Sequence, residues 1–111
     1  MIAWLLSLEG ELAGKRYSLD SICLVGRGQY NHVVLDDTRI SRQHAKVAPE
    51  GGQYVLQDLN SANGSYVNEI AVSRQVLVPG DVVRFGPFRF KVEIQRAPIE
   101  PRTPQPSFRE A

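Results

Sequence analysis

Apolar and polar residues alternate along most of this chain, and no stretch sustains a helical period. The clearest run is Phe88-Arg89-Phe90-Lys91-Val92-Glu93-Ile94, in which Phe88, Phe90, Val92 and Ile94 share one face. Arg89, Lys91 and Glu93 share the other, the pattern of a strand with one buried and one solvated side. Turn-forming residues cut the rest into short pieces. Gly10 to Gly14 separates an opening strand from Lys15 to Leu19, and Ile22 to Val25 runs into Gly26-Arg27-Gly28. Val33 to Leu35 ends at Asp36-Asp37. Gln43 to Val47 ends at the hairpin signal Pro49-Glu50-Gly51-Gly52. Tyr54 to Leu59 leads into the polar loop Asn60 to Gly64, and further strands are predicted at Ser65 to Val67, Val82 to Phe85 and Phe88 to Ile94. Many short strands joined by frequent turns predict a two-sheet β-sandwich or a barrel. Trp4, Tyr17, Tyr54, Phe85 and Phe90 are expected in its core.

Composition narrows the picture. A chain of 111 residues with 42% hydrophobic and 23% charged residues has the make-up of one ordinary globular domain. Its formal charge of +1 supplies no global field for nucleic acid or an acidic membrane, so any anion site must be local. The single cysteine, Cys23, lies in an apolar run and is expected in the core, not in a disulfide. The opening Met1-Ile2-Ala3-Trp4-Leu5-Leu6 lacks a basic start, and Glu9 ends the run before a signal segment or span is complete. The expected location is cytoplasmic. From Ala97 onward Pro98, Pro101, Pro104 and Pro106 punctuate a stretch with few large apolar residues. The expectation is a domain over 1–96 and a disordered tail or linker over 97–111, with a larger parent protein possible.

The polar residues gather in three clusters beside turns: Gly26-Arg27-Gly28, Ile40-Ser41-Arg42-Gln43-His44 and Asn60-Ser61-Ala62-Asn63-Gly64-Ser65. Loops at one end of a sandwich lie close together, and arginines, a hydroxyl and an amide converging there suit a phosphate ester. The guanidinium fork matches phosphate oxygens and keeps its charge.

In this order and spacing, Gly26-Arg27, Ser41-Arg42-Gln43-His44, Asp58 to Asn68, Pro79-Gly80-Asp81 and Gly86 resemble the signature of the forkhead-associated (FHA) domain family. The resemblance covers about Leu5 to Ile94. It implies a two-sheet sandwich of about eleven short strands that reads phosphothreonine with the loops at one end. Carried over by position, Arg27 is the main phosphate ligand, Ser41 donates its hydroxyl to the same phosphate, and Arg42 adds a further contact. Asn63 holds the peptide main chain, and Arg39 selects the residue three places after the phosphothreonine. Gly26, His44 and Gly64 support the site structurally. Ala62 departs from the family, which often has a hydroxyl residue there; one donor to the phosphate is absent unless Arg42 or Ser61 replaces it. Glu69 stands where a turn glycine is common.

The implied function is a phosphothreonine-dependent protein–protein interaction module in signal transduction, downstream of a Ser/Thr kinase, with no catalysis and no cofactor. The alternative is a phosphate-independent interaction or self-association module using a sheet face. A serine-hydrolase reading of Ser41 and His44 fails if Ser41 to Ala48 is extended, because residues three apart then face opposite sides. Cys23, His32 and His44 have no metal-ligand spacing, and His32 is expected to be an ordinary loop residue. No dinucleotide or phosphate-loop fingerprint occurs. Thr103, in Arg102-Thr103-Pro104, is a candidate phosphorylation site for capture by this domain or a copy of it.

Overall fold

The computed structural model describes residues 2–95. The tail and Thr103 lie outside the described residues.

The alternating segments form eleven strands: β1 (Ile2–Ser7), β2 (Arg16–Ser18), β3 (Cys23–Gly26), β4 (Val33–Val34), β5 (Ala45–Glu50), β6 (Gln53–Asp58), β7 (Ser65–Val67), β8 (Ile70–Val72), β9 (Arg74–Leu77), β10 (Val82–Phe85) and β11 (Phe88–Gln95). They pair into a six-stranded sheet, in the order β2-β1-β11-β10-β7-β8, and a five-stranded sheet, β4-β3-β5-β6-β9. The expected all-β sandwich is the observed one. Each inner face contributes alternate residues to one core, in which Leu5, Leu19, Val25, Leu56, Phe85 and Phe90 are buried. Among the described residues no helix is long and apolar enough to cross a membrane.

Several details differ from expectation. Strand β5 starts at Ala45, not Gln43, and runs through Pro49 and Glu50 before the Gly51-Gly52 turn. Proline is tolerated because β3 begins at Cys23, opposite Val47, and so leaves Pro49 without a ladder partner on that side. Strands β8 and β9 escape a reading of periodicity because both are short and largely exposed, so neither alternates buried with solvated positions. Asn68 and Glu69, both at positive φ, join β7 to β8 in a two-residue turn, so Glu69 retains the bend where glycine is usual. Trp4 is not in the core. Ala3 and Leu5 take the inward positions of β1, and the Trp4 indole lies half-buried outside, donating to Glu93 with the Arg16 guanidinium over its ring. Cys23 is buried, and burial pushes its thiol up to about 11, so it stays protonated as a small core residue.

The loops β3–β4, β4–β5 and β6–β7 meet at one end of the sandwich. The Gly86-Pro87 turn between β10 and β11 lies beside Arg39 and Asn63 at the same end.

Candidate functional site

Backbone contact between two loops is the foundation of the site. The amide of Arg27 donates to the Ser41 carbonyl at 3.0 Å, and that of Gly28 to the Arg42 carbonyl at 3.1 Å. This close approach explains Gly26. A Cβ there would lie 2.3 Å from the Arg42 carbonyl oxygen and 2.8 Å from the Asn31 side chain, closer than atoms can pack. Asn31 completes the joint: its Nδ2 donates to the carbonyls of Gly28 at 2.7 Å and Arg42 at 2.9 Å. His32 closes the β3–β4 loop, its Nδ1 accepting the Leu24 amide at 2.9 Å. Neither Asn31 nor His32 stands out in sequence as a positioning residue, because the groups they bind are main-chain atoms of other segments.

The side chain of Arg27 is exposed and anchored by its Nε, which donates to the Ile40 carbonyl at 3.2 Å. Its two terminal nitrogens make no hydrogen bond among the described residues. Ser41 and His44 are adjacent, contrary to the expectation from an extended strand. Residues 41–44 bend, and the Ser41 amide, not its hydroxyl, donates to His44 Nδ1 at 3.1 Å. His44 Nε2 lies 2.8 Å from the Gly64 carbonyl. A carbonyl only accepts, so Nε2 carries the hydrogen and Nδ1 is the acceptor. With both ring nitrogens engaged and the ring fully buried edge-on to Phe85, His44 ties the β4–β5 loop to the β6–β7 loop and has no nitrogen left to act as a base. The hydroxyl of Ser41 instead accepts the Ala62 amide at 2.9 Å, which leaves its own proton free to donate.

The β6–β7 loop is organised around Asp58. Its carboxylate accepts the Ser61 amide at 3.0 Å and the hydroxyls of Ser61 and Ser65, each at 2.6 Å. Burial pushes this carboxyl up, but the hydrogen bonds from Ser61 and Ser65 outweigh it and hold the group below its ordinary value. Ser61 Oγ also accepts the Gly64 amide at 2.9 Å. Its proton is spent on Asp58, so Ser61 does not replace the donor absent at Ala62. Gly64, at φ +86°, takes a backbone conformation that L-residues rarely adopt. Asn63 is exposed, and its Nδ2 donates to the Arg39 carbonyl at 2.8 Å, leaving Oδ1 and one N–H available.

Arg39 and Arg42 lie three residues apart but differ in charge state of their surroundings. Arg39 forks onto Asp37, with Nε at 2.9 Å and Nη2 at 2.8 Å from the two oxygens, and these bonds pull the Asp37 carboxyl down to about 2. Arg16, Arg74, Arg84 and Arg89 likewise hold Glu93, Glu50, Glu69 and Glu9. Among the described residues only Arg27 and Arg42 are arginines without a carboxylate, and both border the same hollow beside the joined loops. The five residues expected to bind are thus gathered on three interlocked loops, with Gly26, His44 and Gly64 beneath them.

The FHA domain family model matches residues 23–86. The chain belongs to the FHA domain family. Glycogen accumulation regulator GarA of Mycolicibacterium smegmatis is 41% identical over 88 residues, covering 78% of this chain and 56% of GarA. The chain therefore spans little more than half the length of that relative. A domain solved in work on phosphothreonine-dependent FHA domain interactions superposes with a TM-score of 0.80 at 34% identity, covering 87% of this chain and 100% of that one. Mycobacterium tuberculosis EmbR in complex with a low-affinity phosphopeptide gives 0.77 at 32% identity, over 86% of this chain and 25% of that one.

Proposed function

We propose that this FHA domain recruits proteins phosphorylated on threonine, acting as a non-catalytic module downstream of a Ser/Thr kinase. The observation that carries the reading is the isolation of Arg27 and Arg42 from every carboxylate among the described residues, at the place where the loops meet. A phosphothreonine brings nearly two negative charges and three acceptor oxygens. Two unpaired guanidiniums match that charge without first breaking an ion pair. In this reading Arg27 holds the phosphate through its terminal nitrogens, and its Nε bond to Ile40 limits the freedom lost on binding. Ser41 donates the proton that its bond to Ala62 leaves free, and Arg42 adds the second cation. Asn63 holds the peptide main chain with its remaining amide atoms. Arg39 stands on the side of the residue three places after the phosphothreonine.

Similarity to phosphothreonine-dependent FHA domains and to the phosphopeptide-bound EmbR supports the same reading. Titrating matched phosphothreonine, phosphoserine and unmodified peptides against the chain tests it. Micromolar binding, about −8 kcal/mol, is expected for phosphothreonine and much weaker binding for the other two. Equal affinity for all three peptides removes the proposal. A partner that survives Arg27→Ala belongs instead to the phosphate-independent class.

A further inference from the structure

The hollow beside Arg27 is also lined by residues of the β3–β4 loop that the phosphate reading does not use. Its volume is about 350 Å³, and Leu24, Arg27, Gly28, Tyr30, Asn31 and Arg42 are among the residues that line it. Leu24 is half-buried, and Tyr30 at the loop apex is 98% exposed. An aromatic ring left entirely in water is unusual away from a contact surface, and tyrosine is enriched among the residues that dominate binding interfaces. The loop carrying it is fixed at its base. Gly28 and Asn31 bond to the Arg42 carbonyl, and His32 bonds to Leu24, so the apex with Tyr30 stands on a fixed base.

The position of this hollow follows from the loop order. The β4–β5 loop is central: β3–β4 bonds to it through Arg27 and Gly28, and β6–β7 through Ala62 and Asn63. A second hollow, lined by Arg39, Asn63, Tyr66, Arg84, Gly86 and Pro87, lies on the β6–β7 side and shares no residue with the first. If Arg39 faces residues after the phosphothreonine, the Tyr30 hollow faces those before it. Its charge is already committed, since one phosphate dianion balances Arg27 and Arg42. What remains for a neighbouring residue is the Leu24 side chain, the Tyr30 ring and the aliphatic stem of Arg42, beside the uncharged amides of Gln29 and Gln43.

We propose that this hollow is a second specificity subsite, which takes one apolar side chain N-terminal to the phosphothreonine. The inference rests on the phosphothreonine reading above and adds the class of flanking residue to it. Continuity with the phosphate site identifies the occupant as the same bound peptide, because Arg27 and Arg42 border both.

The test is calorimetric titration of the 111-residue chain with phosphothreonine peptides carrying alanine at the three preceding positions. Leucine, phenylalanine or aspartate is then placed at each of those positions in turn. Leucine or phenylalanine at one position is expected to tighten binding about tenfold over alanine, equivalent to about 1.4 kcal/mol. Tyr30→Ala should bring the apolar peptide down to the affinity of the alanine peptide, and Tyr30→Phe should keep the gain. Equal affinities for alanine and apolar peptides overturn the subsite, as does a gain confined to aspartate. Failure of every phosphopeptide to bind better than its unmodified form instead sinks the phosphothreonine reading beneath it, and the subsite with it.

Discussion

The amide of Ala62 donates to the hydroxyl oxygen of Ser41 at 2.9 Å, so one side chain both joins two loops and keeps a proton to give away. The bond uses a lone pair of the oxygen and leaves its O–H free. The chemistry of the site thus depends on how each polar group is already engaged in the unliganded domain.

Ser41→Ala should remove the donor and the loop tie together. Hydrogen bonds to charged groups contribute about 1.5–3 kcal/mol, so phosphopeptide affinity is expected to fall by roughly 10- to 150-fold. Ala62→Thr is expected to act in the opposite direction, since it adds a hydroxyl on the exposed edge of the same loop. Calorimetry on both variants checks the pair. Unchanged affinity for Ser41→Ala would exclude that hydroxyl from the site.

Arg27 and Arg42 should be unequal. Arg27 is held at its Nε by the Ile40 carbonyl, whereas the Arg42 guanidinium donates no hydrogen bond among the described residues. Arg27→Ala is expected to cost roughly 100-fold in affinity or more, and Arg42→Ala roughly tenfold, the difference reflecting the smaller entropy lost by a pre-anchored fork. Neither change should shift the urea midpoint by much, because both side chains are exposed. A large loss of stability in Arg27→Ala would show a structural role instead.

Gly26→Ala and Gly28→Ala separate backbone from side-chain crowding. At Gly26 a methyl meets the Arg42 carbonyl oxygen at 2.3 Å, and the joined loops cannot yield without losing their hydrogen bonds. At Gly28 the nearest atom is Arg42 Cγ at 3.1 Å, on a flexible stem, and the Arg42 carbonyl oxygen is 3.3 Å away, a full 1.0 Å farther than at Gly26. Gly26→Ala should destabilise by about 2–3 kcal/mol and lower the melting temperature by roughly 10 °C or more. Gly28→Ala should melt within a few degrees of the parent while altering the hollow. Equal melting temperatures for the two variants would contradict the close approach at Gly26.

Acid should release the β6–β7 loop through Asp58. Its carboxyl titrates below the ordinary value of 3.8 in the folded domain, so its stabilising effect is complete above that value and is lost as the pH falls through the lower folded pKa. Urea unfolding from pH 6 to pH 2, about 4 units across that window, should show the parent losing stability faster than Asp58→Asn as the pH drops. Phosphopeptide binding should weaken earlier, near pH 6, where the phosphate takes up its second proton. Parallel stability curves for parent and variant would argue against the carboxylate as the loop's organiser.

The sequence by itself determined the layer architecture. Strict alternation in segments such as Phe88 to Ile94 admits only one burial pattern, and Gly-rich turns limit each strand's length. It also determined which residue types reach the loops, because Arg27, Ser41 and Asn63 sit at the ends of alternating segments. Tertiary structure alone decided their chemical state. Arg39 and Arg42 are the same residue type three positions apart, yet one is neutralised by Asp37 and the other is left unpaired. Ser41 and Ser61 are both loop serines, yet one keeps its proton and the other gives it to Asp58. Trp4 faced outward because a register of one residue selects which half of an alternating strand is buried. Each of these outcomes depends on partners distant in sequence, and periodicity, being local, carries no information about which distant carboxylate or amide will arrive.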